Sequence, residues 1–225
     1  MPVFLIPDEE LTFPHPSEAD AEGLLGIGGD LRAERLLLAY RYGIFPWYNA
    51  SDPILWWSPD PRLVLFPAEL HIAKSMHVYF NQNKYRVTFN HHFREVMEHC
   101  RSINRPGQDG TWINQAIVKA YGELHARGHA HSVEVWEGSQ LCGGLYGVQI
   151  GRVFYGESMF SLRPNASRFG FITLVRLLHQ WNFKAIDCQQ DTPYLRSFGA
   201  RLITRQTFLK LLQGNTEEFH PVWPG

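Results

Sequence analysis

Three segments in the middle of the chain decide its fold: His131-Ser-Val-Glu-Val-Trp136, Leu141-Cys-Gly-Gly-Leu-Tyr146 and Val153-Phe-Tyr-Gly-Glu-Ser-Met-Phe160. The first and third segments are rich in Val, Trp, Phe and Tyr, and short Gly-containing turns separate the three segments. This spacing predicts a three-stranded antiparallel meander. Three glycines in the middle segment indicate a bulge or the close approach of another group: Gly143, Gly144 and Gly147.

Helical and strand patterns alternate on either side of the meander. Helices are predicted over residues 30–43, 69–82, 165–180 and 206–212, and strands over residues 63–66, 85–89, 183–189 and 201–204. Further helices are expected after Asn90, Thr111 and Thr192, which can act as N-caps. The pattern predicts an α+β fold, a mixed sheet with packed helices. Dense Pro and Trp over residues 45–62 predicts a rigid loop and a domain boundary, giving domains 1–62 and 63–225.

Composition and charge limit the possible classes of protein. The chain of 225 residues is 44% hydrophobic and 19% charged, which is typical of a globular protein. It has no apolar run of membrane-spanning length and no signal-like N-terminus, so we expect a cytoplasmic protein without a membrane partner. Net basic charge over residues 62–105 and 163–210 fits either a modest contact with a polyanion or an ordinary solvated surface.

The chain lacks the common motifs for metal, nucleotide and serine chemistry. It contains no GxSxG, HExxH or CxxC sequence and no phosphate-binding Gly-Lys loop. His125 and His129 are one helical turn apart and His131 follows, but Gly128 is expected to end the helix between the first two. No nearby Cys or carboxylate completes a zinc site. We therefore expect neither a metal nor a cofactor.

Two polar stretches carry the candidate chemistry. In Ile186-Asp-Cys-Gln189, strand alternation places Asp187 and Gln189 on one face and Cys188 on the other. A carboxylate beside an amide, without an adjacent nucleophile, suits a site that positions an amine, so we infer acyl transfer. Glu157 lies in an otherwise apolar strand, where either an internal hydrogen bond or a substrate contact would offset its burial.

Several blocks of the chain are long and rich in Trp and Gly: Gly23–Leu31, Ala39–Trp47, Trp56–Arg62, Thr111–Ile113, Gly128–Trp136, Gly143–Gly147, Gly156–Ser161 and Ile186–Gln189. In this order they resemble the leucyl/phenylalanyl-tRNA–protein transferase family from about residue 13 to residue 212. The resemblance implies a small N-terminal domain and a catalytic domain related to the GNAT acetyltransferases, without acetyl-CoA.

The resemblance also implies a bacterial cytosolic aminoacyltransferase of the N-end rule of protein degradation. Such an enzyme moves Leu or Phe, with Met as a further candidate, from aminoacyl-tRNA to proteins that begin with Arg or Lys. Asp187 and Gln189 match the family's proposed catalytic pair. Positions lining the pocket for the aminoacyl group and terminal adenosine are matched by Tyr40, Trp47, Trp112, Tyr121, Phe154, Glu157 and Ser158. Thr192, Tyr194 and Arg168 depart from the family pattern, which leaves the acceptor contacts open.

Residues of the meander supply apolar walls for such a pocket: Leu145, Phe154 and Met159. Basic side chains are expected to contact phosphates near the 3′ end of the tRNA: Arg62, Lys74, Lys84 and Arg168. Two other classes stay open, an acetyl-CoA-dependent N-acyltransferase and a non-catalytic RNA-binding module. Four aromatic residues are expected in or beside loops, where they can stack a base or line a hydrophobic side-chain pocket: Trp47, Trp56, Trp57 and Trp112.

Overall fold

A computed structural model describes residues 3–103, 111–215 and 218–224. The strands are β1 Phe4–Ile6, β2 Leu24–Gly28, β3 Phe45–Pro46, β4 Leu55–Trp57, β5 Arg62–Leu65, β6 Arg86–Phe89, β7 Ala130–Glu137, β8 Gln140–Ile150, β9 Val153–Ser161, β10 Ala185–Gln189 and β11 Arg201–Ile203. The α-helices are α1 Ala33–Arg41, α2 Lys74–Asn81, α3 Phe93–Ser102, α4 Gln115–Ala126, α5 Ala166–Gln180, α6 Pro193–Arg196 and α7 Arg205–Gln213.

The N-terminal part forms a small sheet with strand order β1-β2-β4-β3. Helix α1 connects β2 to β3 and buries Leu36, Ala39 and Tyr40. The prediction of a continuous rigid loop over residues 45–62 is wrong, because β3 and β4 pair with each other there and β4 also pairs with β2. Both strands are very short, β3 with two residues and β4 with three, so no alternating pattern marked them in the sequence.

The larger sheet has seven strands in the order β11-β5-β10-β9-β8-β7-β6. Its neighbours are antiparallel except for β9 and β10, which run parallel. The predicted meander is confirmed as β7, β8 and β9. Helix α5 contributes to one buried core, on one face of this sheet. Helices α1, α3 and α4 contribute to a second core, which extends into the small sheet. The predicted α+β class, a mixed sheet with packed helices, is confirmed.

The glycines of β8 allow close packing between neighbouring strands. The β8–β9 register shifts between Tyr146 and Gly147, as expected for a bulge. A Cβ atom on Gly147 would lie 2.2 Å from the Tyr155 carbonyl oxygen and 2.4 Å from the Phe154 ring. Gly147 therefore brings the wall that carries Phe154 close to β8.

Two of the three predicted helix caps are wrong. Helix α3 follows His92, and the Asn90 side chain instead accepts a hydrogen bond from the Ser132 amide. The Asn114 side chain caps α4, whereas the Thr111 hydroxyl accepts from the nearby Ile113 amide, which lies before the helix. The Thr192 hydroxyl does cap α6, at 3.2 Å from the Leu195 nitrogen. Over the described ranges, none of the helices combines the length and apolar character that crossing a membrane requires.

Candidate active site

A cavity of about 590 Å³ opens where β8, β9 and β10 meet the aromatic segment around β3. Most of its wall is apolar. The apolar and aromatic side chains that line it are Phe45, Pro46, Trp47, Trp112, Leu145, Tyr146, Phe154, Met159, Phe171, Ile186, Tyr194 and Leu195. Polar groups enter this wall mainly from β9 and from the end of β10, which carry Glu157, Ser158 and Gln189. The cavity thus combines a large apolar surface with a small polar region.

Glu157 on β9 is the centre of this polar region. Its Oε1 atom accepts hydrogen bonds from the Tyr40 hydroxyl at 2.7 Å and from Gln189 Nε2 at 3.2 Å. Its Oε2 atom accepts one from the Tyr121 hydroxyl at 3.3 Å. Burial raises the pKa of Glu157 to about 7, although the three hydrogen bonds oppose this rise. The charge of Glu157 therefore changes near neutral pH.

Tyr40 and Tyr121 support Glu157 from beneath the cavity. Tyr40 lies on α1 and Tyr121 on α4, both side chains are fully buried, and their hydroxyl groups are in hydrogen-bond contact. Burial, followed by the negative charge of Glu157, raises the pKa of each hydroxyl well above its ordinary value. Both tyrosines thus stay protonated and remain hydrogen-bond donors. Helix α1 gives the N-terminal part of the chain a direct role in the site.

Strand β10 does not keep the alternation that the sequence suggested. Ile186 and Cys188 line the cavity, whereas Asp187 lies on the other side of the strand and is fully buried. Gln189 returns to the cavity because its backbone is left-handed, with φ at 58°, and the β10–β5 register shifts between Asp187 and Gln189. The expectation that Asp187 and Gln189 project together into one cavity, with Cys188 opposite, is therefore wrong.

Asp187 is instead part of a buried ion pair. Arg62 Nε donates to Asp187 Oδ1 at 2.9 Å, and Arg62 Nη2 donates to Oδ2 at 2.6 Å. The Gln189 backbone amide donates to the same Oδ1 at 2.9 Å. Arg62 is only 1% exposed, so the prediction that it contacts phosphates is wrong. Arg168 is also engaged within the protein, where its guanidinium lies over the Tyr194 ring.

The structure brings most of the sequence-predicted site residues together. Those that line the cavity are Trp47, Trp112, Leu145, Phe154, Glu157, Ser158, Met159 and Gln189. Tyr40 and Tyr121 lie beneath it and Asp187 behind it. Four further lining residues were not predicted, because nothing in a single apolar residue distinguishes a cavity wall from a core: Phe45, Phe171, Ile186 and Leu195. A signal existed only for Phe45, which lies two residues before the predicted Trp47.

The histidines form no metal centre in the part of the chain that the structure describes. His125 Nδ1 contacts the Ala130 carbonyl, and His131 is buried with its ring stacked on Trp223 at 4.1 Å. Cys188 is also buried, and burial raises its pKa well above the ordinary range of a thiol. This thiol is therefore protonated and suits a wall position better than a nucleophilic one.

The chain was compared with known protein families and solved structures. The model described as leucyl/phenylalanyl-tRNA protein transferase matches residues 64–213, and the model of that family's N-terminal domain matches residues 29–60. Among solved structures, a GCN5-related N-acetyltransferase from Kribbella flavida aligns with a TM-score of 0.35 and 8% identity, over 73% of this chain and 58% of that chain. A likeness this remote supports no argument about the site.

Curated relatives match nearly the whole chain. A leucyl/phenylalanyl-tRNA–protein transferase of Syntrophobacter fumaroxidans is 54% identical over 97% of this chain and 93% of its own length. One of Christiangramia forsetii is 56% identical over 93% of this chain and 99% of its own length. The match to the family model over residues 64–213 and the identity to these relatives show that the chain belongs to the leucyl/phenylalanyl-tRNA–protein transferase family of enzymes.

Proposed function

We propose that this enzyme moves Leu or Phe, with Met as a further candidate, from its tRNA to the N-terminal amine of proteins that begin with Arg or Lys. The modified proteins would then be degraded, and the reaction would take place in the cytoplasm. The observation that carries this proposal is the contact between Glu157 and Gln189 at the polar region of an otherwise apolar cavity.

The apolar part of the cavity suits the side chain of the transferred amino acid. Leu145, Phe154 and Met159 form part of this wall, and its volume of about 590 Å³ exceeds what a single Phe side chain needs. A hydrophobic pocket that is large enough discriminates weakly between apolar side chains of different shape, at about 1–3 kcal/mol per methylene. One pocket can thus accept Leu, Phe and Met without a rearrangement.

Aromatic side chains at the mouth of the cavity suit the terminal adenosine of the tRNA. Trp47 is 36% exposed, and its ring meets that of Trp57 edge-on at 5.7 Å. Trp112 lines the same cavity. Stacking of a base on such rings contributes about 1–3 kcal/mol and needs no hydrogen bond to the base edge. Only the aminoacyl end of the tRNA would have to enter.

The chemistry needs little activation, because the aminoacyl ester is already reactive. The nitrogen of the acceptor amine attacks the ester carbonyl carbon, an amide bond forms, and the bond from that carbon to the ribose oxygen breaks. The proton lost by the amine passes to the leaving ribose oxygen, which becomes the free hydroxyl of the tRNA. Gln189 donates from Nε2 to Glu157, so its Oε1 atom is the group that accepts a hydrogen bond from the amine and orients the lone pair.

Glu157 suits the binding of a cation. It is the only acidic side chain among the described residues that line the cavity. Its carboxylate form would hold either the ammonium group of the donor amino acid or the basic side chain of the acceptor. An acceptor peptide that begins with Arg and one that begins with uncharged citrulline distinguish these two positions. If Glu157 holds the acceptor side chain, the contact weakens with citrulline. If Glu157 holds the donor ammonium group, the contact does not depend on the acceptor.

The test is transfer by the pure protein. It is mixed with Leu-tRNA, Phe-tRNA or Met-tRNA and a peptide that begins with Arg, and the product is identified by mass. We expect the peptide to gain one Leu or Phe, whereas an N-acetylated peptide gains nothing. Gln189→Ala should reduce the rate at least about 100-fold, as expected for a lost orienting group. Gln180→Ala, on the exposed end of α5, should retain the native rate.

Two results would overturn the proposal. One is a peptide left unmodified by every charged tRNA but acetylated when acetyl-CoA is supplied. The other is tight binding of Leu-tRNA without transfer, unchanged by Gln189→Ala, which would indicate an RNA-binding module.

A further inference from the structure

Arg62 is the most completely enclosed cation of the site. Its side chain is 1% exposed, and the rings of Phe45 and Phe208 lie at 4.7 and 4.9 Å from its guanidinium carbon. Its two bonds to Asp187 use Nε and Nη2, and Nη1 donates to the Gly43 carbonyl at 3.1 Å. These three hydrogen bonds require the planar, forked donors of a guanidinium group, and the ammonium group of Lys cannot replace them.

Arg62 is connected to the Gln189 backbone through Asp187. Asp187 Oδ1 accepts from both Arg62 Nε and the Gln189 amide, so the ion pair and the backbone share one oxygen atom. A left-handed backbone costs about 1–3 kcal/mol for a residue other than Gly unless its surroundings stabilise it. The hydrogen bond from residue 189 back to the carboxylate two positions earlier has the form of an Asx turn, which stabilises that conformation.

Arg62 is also connected, through the Gly43 carbonyl, to the aromatic wall on the other side of the cavity. Gly43 ends the turn after α1, and the residues that follow it, Phe45, Pro46 and Trp47, all line the cavity. Arg62 holds this turn by its carbonyl oxygen and packs against Phe45 as well. One guanidinium group therefore connects the aromatic wall to the strand end that carries Gln189.

We propose that Arg62 is a positioning residue for the transfer reaction, acting through Asp187 on the Gln189 backbone and through Gly43 on the aromatic wall. In this arrangement Asp187 contacts no substrate and neither gives nor takes a proton. The inference rests on the proposed function, because it concerns the rate at which the same site transfers an amino acid.

The main experiment separates positioning from folding. Replacing a buried ion pair by apolar side chains of similar volume is often neutral for stability, so Arg62→Met combined with Asp187→Leu should stay folded. We expect its melting temperature to lie within a few degrees of the native value, while kcat falls about 100-fold because Gln189 loses its fixed geometry. Backbone amide exchange at Gln189 should become faster in the same variant.

Conservative variants give a second measurement. Asp187→Asn keeps an oxygen that can accept from the Gln189 amide, so it should retain more than about a tenth of the native kcat. It should also move the acid limb of the pH–rate profile to lower pH, because the charge of Asp187 contributes to the raised pKa of Glu157 and Asn carries none. Arg201→Met is the matched control, because Arg201 also makes a two-pronged pair with a carboxylate, Glu69, but an exposed one. This control should keep the native kcat.

Three results would overturn the inference: a folded double variant with native kcat, native amide exchange at Gln189, or a folded Asp187→Asn as inactive as Asp187→Ala. The last result would assign the carboxylate to the chemistry itself. If the double variant does not fold, the activity of a folded Asp187→Asn relative to Asp187→Ala decides. Failure of the proposed function can be told apart from failure of this inference. In the first case the native protein would transfer nothing, and amide exchange at Gln189 would still test the role of Arg62.

Discussion

Glu157 shows how neighbouring groups set the properties of a single residue. Its carboxyl group is packed among Tyr40, Tyr121 and Gln189, and burial raises its pKa to about 7 from an ordinary value of 4.5. A carboxyl group with this pKa is charged above neutral pH and neutral below it. The binding of a cation in the cavity should therefore weaken as the pH falls below 7.

The first prediction concerns the pH dependence of transfer at low substrate concentration. The acceptor amine must be neutral, and its ordinary pKa is about 7.7–8.0. Because Glu157 must also be ionised, we expect the logarithm of the rate to rise with a slope near 2 below pH 7. Glu157→Gln should be slower and show a slope near 1. An unchanged slope in that variant would remove Glu157 from the pH dependence.

The second prediction concerns His131, which is 5% exposed and stacked on Trp223. Burial, with the nearby His125 and His129, lowers its pKa to about 3. The unfolded chain takes up a proton near pH 6.5 and the folded chain does not, so stability is lost as the pH falls from 6.5 towards 3. His131→Phe should therefore be more stable than the native protein at pH 4.5, by about 2–3 kcal/mol.

Urea unfolding at pH 8 and pH 4.5 checks this expectation. The two proteins should differ much less at pH 8, where His131 is neutral in both states. His77→Gln is an exposed control that should show no such pH-dependent difference. Equal stability of His131→Phe and native protein at pH 4.5 would contradict the prediction.

At the scale of elements, glycine decides how closely β8 approaches β9. An added Cβ on Gly147 would meet the Tyr155 carbonyl and the Phe154 ring, whereas one on Gly122 in α4 would meet nothing within 4 Å. Gly147→Ala should destabilise the protein by about 1–3 kcal/mol, because the core is overpacked. Gly122→Ala should stabilise it by up to about 1 kcal/mol, because Ala favours helix.

Chemical unfolding of both variants measures these changes. The Gly147 variant should also transfer Phe less well, since Phe154 is part of the cavity wall. Destabilisation of equal size in both variants would show that the close approach at Gly147 has no special cost.

Elements with regular side-chain patterns could be predicted from the sequence, and those without could not. The meander, α5 and the Thr192 cap follow from alternation, helical periodicity and capping chemistry. Strands β3 and β4 were missed because two- and three-residue strands have no period. The cap of α4 was placed on Thr111 because Asn114, three residues later, is an equally good cap in sequence terms.

At the scale of the whole molecule, the two sheets share one buried core. Its residues come from both parts of the chain, including Leu25, Leu36 and Trp56 on one side and Val148 and Tyr155 on the other. The Tyr155 hydroxyl donates to the Tyr40 carbonyl across this contact at 2.6 Å. The proposed division into domains 1–62 and 63–225 would therefore describe chain organisation more than independent folding.

Calorimetry of the full chain tests this consequence. We expect one unfolding transition, with equal calorimetric and van't Hoff enthalpies, because neither part can unfold without exposing the core of the other. Two resolved transitions, one of them sensitive to Trp56→Ala alone, would instead indicate two independently stable domains.

The amino-acid sequence by itself determined the α+β class, the meander, the family resemblance and eight of the residues that line the cavity. These depend on local periodicity and on blocks of neighbouring residues, which can be read along the chain. Only the tertiary structure decided that Arg62 and Asp187 form a buried ion pair. The ion pair joins residues 125 positions apart, and the left-handed turn at Gln189 reverses the face that alternation assigns to it. Neither long-range pairing nor a break in alternation leaves a local pattern in the sequence.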